Sequence, residues 1–299
     1  MPLLVIGTLA YDTIETVHEK RQEALGGSAT YFAVAAANFA TPRLVGVVGT
    51  DFKAEHLSAL RARGIDCDGV EVAEGKTFRW GGRYEADWNT RHTIFTDLNV
   101  FEHFDPKVPE AYRGSRYVFL ANAHPSIQLK ALKQVEEPEF TVADTMNLWI
   151  DIARDELLEL LQHVDGLILN DEEARMLTGE SNLIRAAQRV LKLGPSKVIL
   201  KKGEHGAFLL GDDVHFSLPA YPIEDVIDPT GAGDSFAGGF MGYIASQDSH
   251  APGTLKRAML YGTVTASFCV QGFSIDQLGA CGMPEIEERY RDLLSIVSL

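Results

Sequence analysis

Between residues 228 and 240 the chain reads Asp228-Pro229-Thr230-Gly231-Ala232-Gly233-Asp234-Ser235-Phe236-Ala237-Gly238-Gly239-Phe240. Gly231 and Gly233, either side of Ala232, let the backbone turn tightly and leave amide N–H groups uncovered by side chains. An extended run precedes them, and the apolar residues 236–244 predict a helix behind them. Donors at a helix start lack intrahelical partners, and the helix dipole adds partial positive charge. Such a turn suits an anion, phosphate above all. Asp234 is the odd member, because a carboxylate repels a resting phosphate. It makes sense where a hydroxyl must lose a proton while attacking a phosphoryl group held by those same donors. The residues alone also suit a plain helix N-terminus with Asp234 as its cap.

Other residues of this kind lie where strands are expected to end, which is where ligands collect in open α/β sheets. Residues 3–7 form an apolar run that predicts a short strand, and Asp12 follows it, placed to accept hydrogen bonds from neutral hydroxyls. A solvated loop acid has the same signature. Gly26-Gly27 permits close approach of backbone to a ligand, and Ser28 can cap the Ala-rich helix predicted through residue 40. Tyr31, early in that helix, is either a ligand contact or core. Residues 43–49 read as a buried strand, followed by a helix to 63.

From 69 to about 104 the character changes. Residues 76–86 and 91–98 are rich in Thr, Phe, Trp, Tyr and Arg and alternate in part, which predicts antiparallel strands. Inserted in an alternating β/α chain, they fit a small lid over a site. Arg79, Arg83 and Arg91 suit an anionic ligand and equally a solvated strand face. The β/α rhythm then resumes. Strands at 117–121 and 140–143 flank a helix at 126–135, a longer helix follows at 148–163, and a further strand at 166–169 ends in Asn170-Asp171-Glu172-Glu173. Asn122-Ala123-His124 and Asp144-Thr145-Met146-Asn147 are further pocket candidates by position. Residues 197–208 read as strand, glycine turn, strand, with Lys201 and Lys202 either polyphosphate contacts or surface lysines. Helices are expected at 235–246, 252–269 and 284–296.

The chain has 299 residues, enough for one large α/β domain with an appendage. A net charge of −15 argues against a nucleic-acid partner or an anionic membrane surface. It does not bar nucleotides, since a local nest of N–H groups binds phosphate inside a negative field. The 3 cysteines are scattered and lack metal-ligand spacing, which fits a reduced cytoplasm. The first residues lack the basic segment and apolar length of a signal peptide. A G-x-G-x-x-G after the first strand is missing, which sets aside a dinucleotide-dependent dehydrogenase.

The string at 228–240 resembles the C-terminal signature of the ribokinase-like (PfkB) carbohydrate kinases. Ala24-Leu25-Gly26-Gly27-Ser28 resembles the family's N-terminal Gly-Gly signature, Val45-Gly46-Val47-Val48-Gly49-Thr50-Asp51-Phe52 its next conserved-type strand, and Asn170-x-x-Glu173 its N-x-x-E motif. The resemblance implies one ribokinase-like domain over residues 1–299, with a central mostly parallel sheet between helices. It also implies a β lid at 69–104, to which a short strand from 12–18 can add. An ATP-dependent kinase acting on a hydroxyl of a small sugar or polyol is expected. A nucleoside kinase of the same family is the alternative, and retention of Asp234 argues against a non-catalytic regulator on this fold. Carried over residue by residue, Asp234 is the catalytic base, and the N–H groups of Gly231, Ala232 and Gly233 stabilise the transferring phosphoryl. Asp12, Gly26 and Gly27 bind the acceptor, with Tyr31 where the family usually has Asn. Asn170, Lys201, Gly203, Gly206 and Thr263 face the nucleotide, and Glu173 acts on Mg²⁺ through water. Asp228 and Thr230 correspond to a monovalent-cation site. Because the segment at 269–274 is shorter than in relatives, dependence on K⁺ is left open. A cytoplasmic enzyme, with a homodimer through the lid, completes the expectation.

Overall fold

The structure is a computed structural model and describes residues 1–298. The first strands of the chain are β1 (Pro2–Ile6), β2 (Ala10–Glu15), β3 (Lys20–Gly26), β4 (Thr41–Gly49), β5 (Asp66–Ala73), β6 (Phe78–Tyr84) and β7 (Arg91–Asp97). They continue as β8 (Tyr117–Leu120), β9 (Phe140–Asp144), β10 (Gly166–Asn170), β11 (Lys197–Lys201), β12 (Ala207–Gly211) and β13 (Val214–Leu218). Nine of them make one sheet in the order β13-β12-β11-β10-β9-β8-β1-β4-β5. It is parallel from β11 to β5, and β12 and β13 add on antiparallel.

A parallel sheet is stable when both faces are covered, and successive residues point to opposite faces. On β1, Leu3 and Val5 face one core and Leu4 and Ile6 the other. The first core includes helices Ser28–Ala36, Ala232–Gln247 and Pro252–Cys269, and the second helices Pro125–Leu132, Arg154–Leu161, Asp171–Thr178 and Leu183–Leu191. This is the expected three-layer ribokinase-like arrangement. Among the described residues no helix is long and apolar enough to cross a membrane.

The lid is a separate sheet of order β3-β2-β6-β7. Its composition differs from the expected insertion at 69–104. Residues 66–73 form β5, on the edge of the main sheet beside β4, and residues 10–26 contribute two lid strands. The polar run Lys20-Arg21-Gln22-Glu23 hid β3, because one exposed, charged end of a two-sided strand carries little periodicity. The helix expected at 148–163 is two, Asn147–Ile152 and Arg154–Leu161, broken at Ala153 (φ −135°, ψ 39°). The helix expected through residue 40 stops at Ala36, and β13 and helix Leu183–Leu191 had no counterpart in the expected elements.

The helix behind the glycine motif is seated by close approach. A methyl on Gly238 would lie 2.3 Å from the Phe32 carbonyl oxygen of the neighbouring helix, and one on Gly239 would lie 2.3 Å from Thr265 Oγ1. Backbone cannot yield as a side-chain tip can, so Gly238→Ala must separate two helices that carry the site. We expect it to cost about 1–3 kcal/mol, the usual penalty of overpacking. Urea unfolding should show a lower midpoint with an unchanged slope.

Candidate active site

Asp228 opens the motif with a local turn: its Oδ1 accepts the Thr230 N–H at 2.8 Å, and its Oδ2 is buried with no hydrogen-bond partner. Burial pushes the Asp228 carboxyl up to about 6, against the hydrogen bonds from Thr230. The Thr230 hydroxyl donates to the Tyr84 hydroxyl of the lid at 3.2 Å, and the Cys269 thiol donates to the Thr230 carbonyl at 3.3 Å. Gly231 follows in the left-handed region (φ 77°), directly before helix Ala232–Gln247. It could carry no side chain, since a methyl there would lie 2.4 Å from the ring of Tyr31.

Three expected donors become two. The Ala232 N–H turns inward to the Pro229 carbonyl at 3.1 Å, whereas the N–H groups of Gly231 and Gly233 have no backbone acceptor among the described residues. Tyr31, expected to meet the acceptor, is instead packed beneath the turn. It is 1% exposed and its hydroxyl is unpartnered. The ring fills the space under Gly231.

Asp12, on β2, is buried beside Gly26, where a methyl would lie 1.9 Å from Asp12 Oδ2. Gly27 (φ 97°) turns the chain into helix Ser28–Ala36, with a methyl excluded by the Thr8 carbonyl at 2.4 Å. Burial, with the charges of Asp228 and Asp234 adding to it, pushes Asp12 up to about 8, while the Gly27 N–H acts the other way. Asp12, Asp228 and Asp234 thus share one basin.

A second group gathers at the ends of β9, β10 and β11. Asn170 and Lys201 are neighbours in the β10–β11 register. Asn170 Oδ1 caps its own helix by accepting the Glu173 N–H at 2.8 Å, and Glu173 Oε2 accepts the Asn170 N–H at 2.7 Å. This reciprocal cap occupies one oxygen of Glu173. Lys201 Nζ lies 3.7 Å from Asp144 Oδ1, with both side chains largely buried. Burial raises the Asp144, Glu173 and Asp234 carboxyls, Lys201 opposes this in all three, and the acids in turn hold the Lys201 ammonium charged. From the lid, the positive charge of Arg91 reaches Asp234 and Glu173.

The remaining candidates lie around this centre. Gly203 (φ 54°) and Gly206 (φ 83°) shape the turn after β11, and the lid tip rests on it: Asn89 Nδ2 donates to Glu204 Oε1 at 3.2 Å. Thr263 is buried within helix Pro252–Cys269. Asp144 and Arg91 gain a weight that their types alone did not signal. Asp144 stood out only as an acid at a parallel strand's C-terminal end, and Arg91 only as one of three lid arginines, singled out by the fold of the lid.

Two carboxylate basins, a cationic centre and a pair of open amides under a lid are the parts that phosphoryl transfer requires. A family model for the pfkB family carbohydrate kinases matches residues 3–277. The chain belongs to that family. This kinase is 33% identical over 247 residues to the cytidine kinase of Thermococcus kodakarensis, covering 81% of this chain and 87% of that protein. It is 26% identical over 251 residues to the nucleoside kinase of Methanocaldococcus jannaschii, covering 81% and 80%. The crystal structure of the Methanocaldococcus jannaschii nucleoside kinase superposes with a TM-score of 0.78 at 22% identity, over 97% of this chain and 98% of that one. That of the Burkholderia thailandensis nucleoside kinase in complex with inosine gives 0.78 at 22%, over 98% and 99%. Likeness at that identity establishes the fold. As a member of the family, the kinase is a phosphotransferase with an alcohol group as acceptor.

The buried acids of the kinase make its stability depend on pH. Folding raises Asp12 from 3.8 to about 8 and Asp228 from 3.8 to about 6, so both bind protons in the folded chain that the unfolded chain has released. Their contribution is full below about pH 4 and is lost as pH rises through 6 to 8. Asp12→Asn should flatten the upper part of this loss. Thermal unfolding without ligand should show the variant gaining on the unsubstituted enzyme between pH 5 and pH 8, and a difference that stays constant over that range would refute the assignment.

Proposed function

We propose that the enzyme transfers the γ-phosphoryl group of ATP to a hydroxyl of a nucleoside, with a free sugar or polyol as the second reading. The observation that carries the transfer is the juxtaposition of Asp234 with the open N–H groups of Gly231 and Gly233. A carboxylate with its affinity for protons raised by burial can take the proton of an attacking hydroxyl, and fixed donors meet the charge that builds on the phosphoryl group. Asp12, across the basin, would hold another hydroxyl of the acceptor and so orient the attacking one. The lid would exclude water while this happens.

The nucleoside reading is supported by the walls and by the relatives. Tyr84 packs with Ile14 and Phe273, against Trp80 and Trp88, between lid and motif, an aromatic rim suited to the face of a base. The amide that reads sugar hydroxyls in the family is replaced by the buried Tyr31. Relatives named as cytidine and nucleoside kinases match most of the chain. The sugar reading keeps its ground through Asp12, which serves ribose alone as well as ribose bearing a base.

Mg²⁺ with the nucleotide fits the donor set, since Glu173 and Asp144 present hard carboxylate oxygens beside Lys201. When bound, the ion would neutralise phosphate oxygens. Among the described residues no group of three or more His, Cys, Asp or Glu side chains makes a closed metal cage, which suits an ion held largely by water and phosphate. The unpartnered Asp228 Oδ2 fits a monovalent cation such as K⁺. Free, buried cysteines at 67, 269 and 281 accord with a cytoplasmic enzyme, and the open edges β3 and β7 of the lid with a homodimer.

The decisive experiment is ADP release from Mg-ATP across nucleosides, ribose, hexoses and polyols. Turnover on nucleosides well above that on ribose is expected, and turnover confined to sugars would overturn the preferred acceptor. With the best acceptor, Asp234→Asn should lower kcat by roughly 10²–10⁴, the usual worth of a positioned proton acceptor. Nucleotide affinity should be little changed in that variant, and near-normal kcat would remove Asp234 from the mechanism.

A further inference from the structure

We propose that Lys201 is a catalytic residue whose ammonium lies on the transferring phosphoryl group, and that Asp144 is the positioning residue holding it there. Lys201 ends β11, and from that point a lysine could reach outward over the Gly203–His205 turn, where a polyphosphate tether would be useful. It does not. Its stem runs along Gly233, where a methyl would lie 2.8 Å from Nζ and 3.6 Å from Cε. Its ammonium therefore stands beside one of the two open amides of the anion turn. Lys202, one residue on, points elsewhere, with Nζ 6.0 Å from the centre of the Phe208 ring. Two adjacent lysines are thus sorted, one into the centre and one away from it.

The ammonium is held loosely. Asp144 Oδ1 is 3.7 Å away, beyond hydrogen-bond length, and that oxygen is buried without any hydrogen-bond partner. Asp144, Glu173 and Asp234 all act on the one ammonium. A purely structural ion pair gains little from such geometry, since dehydrated charges are offset only when closely hydrogen-bonded. A cation gathered by several acids, with no bond to break, is free to follow a phosphoryl group. It also answers a need of the site. Three acids beside an anion-binding turn would repel a phosphate, and a positive charge in the same place lowers that penalty.

This inference rests on the donor and acceptor reading given above. In the transfer, the bond from the γ-phosphorus to the β–γ bridging oxygen breaks as the bond to the acceptor oxygen forms. The acceptor proton passes to Asp234, and the electron pair of the broken bond stays on the ADP oxygen. Lys201 keeps its proton throughout. It would act on the oxygens of the loose, in-line phosphoryl group, so its contacts strengthen in the transition state and add little to nucleotide binding.

The test compares binding of ADP alone with binding of ADP plus aluminium fluoride, a planar mimic of the transferring group, in the presence of Mg²⁺ and the acceptor identified by turnover. Lys201→Met should bind ADP as the unsubstituted enzyme does. It should lose affinity for the fluoride complex on the order of 100-fold, as when one fixed donor is removed from an oxyanion site, with kcat falling in step. Asp144→Asn should lose on the order of 10-fold in the same ratio, and the double variant should be no worse than Lys201→Met, since the two act as one unit. Lys201→Met that weakens ADP as much as the fluoride complex would mark a simple tether and overturn the proposal, as would one that binds both normally. Should that variant fail to fold, an unchanged ratio in Asp144→Asn overturns it alone. An unsubstituted enzyme that binds the fluoride complex no tighter than ADP removes the transfer reading and this inference together.

Discussion

Carboxylates resist leaving water, yet this kinase collects Asp12, Asp144, Glu173, Asp228 and Asp234 at one end of one region of the fold. Four of them are kept there by different local devices. Asp228 folds back on the Thr230 N–H, Glu173 closes a reciprocal cap with Asn170, Asp144 faces Lys201, and Asp12 lies against a glycine pair. Parallel strands make the location possible, since their C-terminal ends lead into helix N-termini whose dipoles favour negative charge. Two of the devices are incomplete. Oxygens of Asp144 and Asp228 remain unpartnered, and the resulting rise in proton affinity turns a cost of folding into a supply of bases.

The lid follows from the same constraint. Charges that must be dry during transfer need a cover that is also tied to the chemistry. The small sheet supplies two ties, Tyr84 to Thr230 in the anion motif and Asn89 to Glu204 on the turn after β11. One reaches the Asp228–Gly231 turn and the other the turn after β11. Arg91 lies beyond the bend between these ties. The lid also carries a positive charge toward Asp234 and Glu173. Because β2 leaves the main sheet directly after β1 and carries Asp12, the lid and the acceptor site are one piece of chain.

Much of this was legible before any coordinates. Apolar runs with helical spacing between them imply a parallel sheet, and the glycines flanking Ala232 imply an anion turn, because both depend on short-range chemistry written in adjacent residues. What was illegible depends on contacts distant in sequence. The strand Lys20–Gly26 is specified by its partner β2 and by the cover that the lid needs, and its charged half has no strand signature of its own. The inward turn of the Ala232 N–H to Pro229 is set by the turn's backbone, and Gly231, Ala232 and Gly233 offer their donors alike in the sequence. Lys201 and Lys202 are the clearest case. Lys201 ends β11 and Lys202 already belongs to the turn that follows, and the acid that Lys201 faces comes from β9, distant in sequence.

In the proposed reading, Tyr31 bears on specificity and leaves the chemistry to other residues. An amide at this position would read hydroxyls, whereas the phenol ring fills the space under Gly231 and makes glycine there obligatory. The anion turn is thereby stiffened from below. Its hydroxyl gains nothing in exchange, being buried and unpartnered, so its selection rests on shape. A site that has given up one hydroxyl-reading group must distinguish acceptors by what is left, namely Asp12 and the apolar surface of Trp80, Tyr84, Trp88 and Phe273. Apolar contact discriminates by area and shape where hydrogen bonds discriminate by kind. A larger acceptor with a flat face gains more from such walls than a bare sugar does, and that difference, more than any single contact, favours a nucleoside.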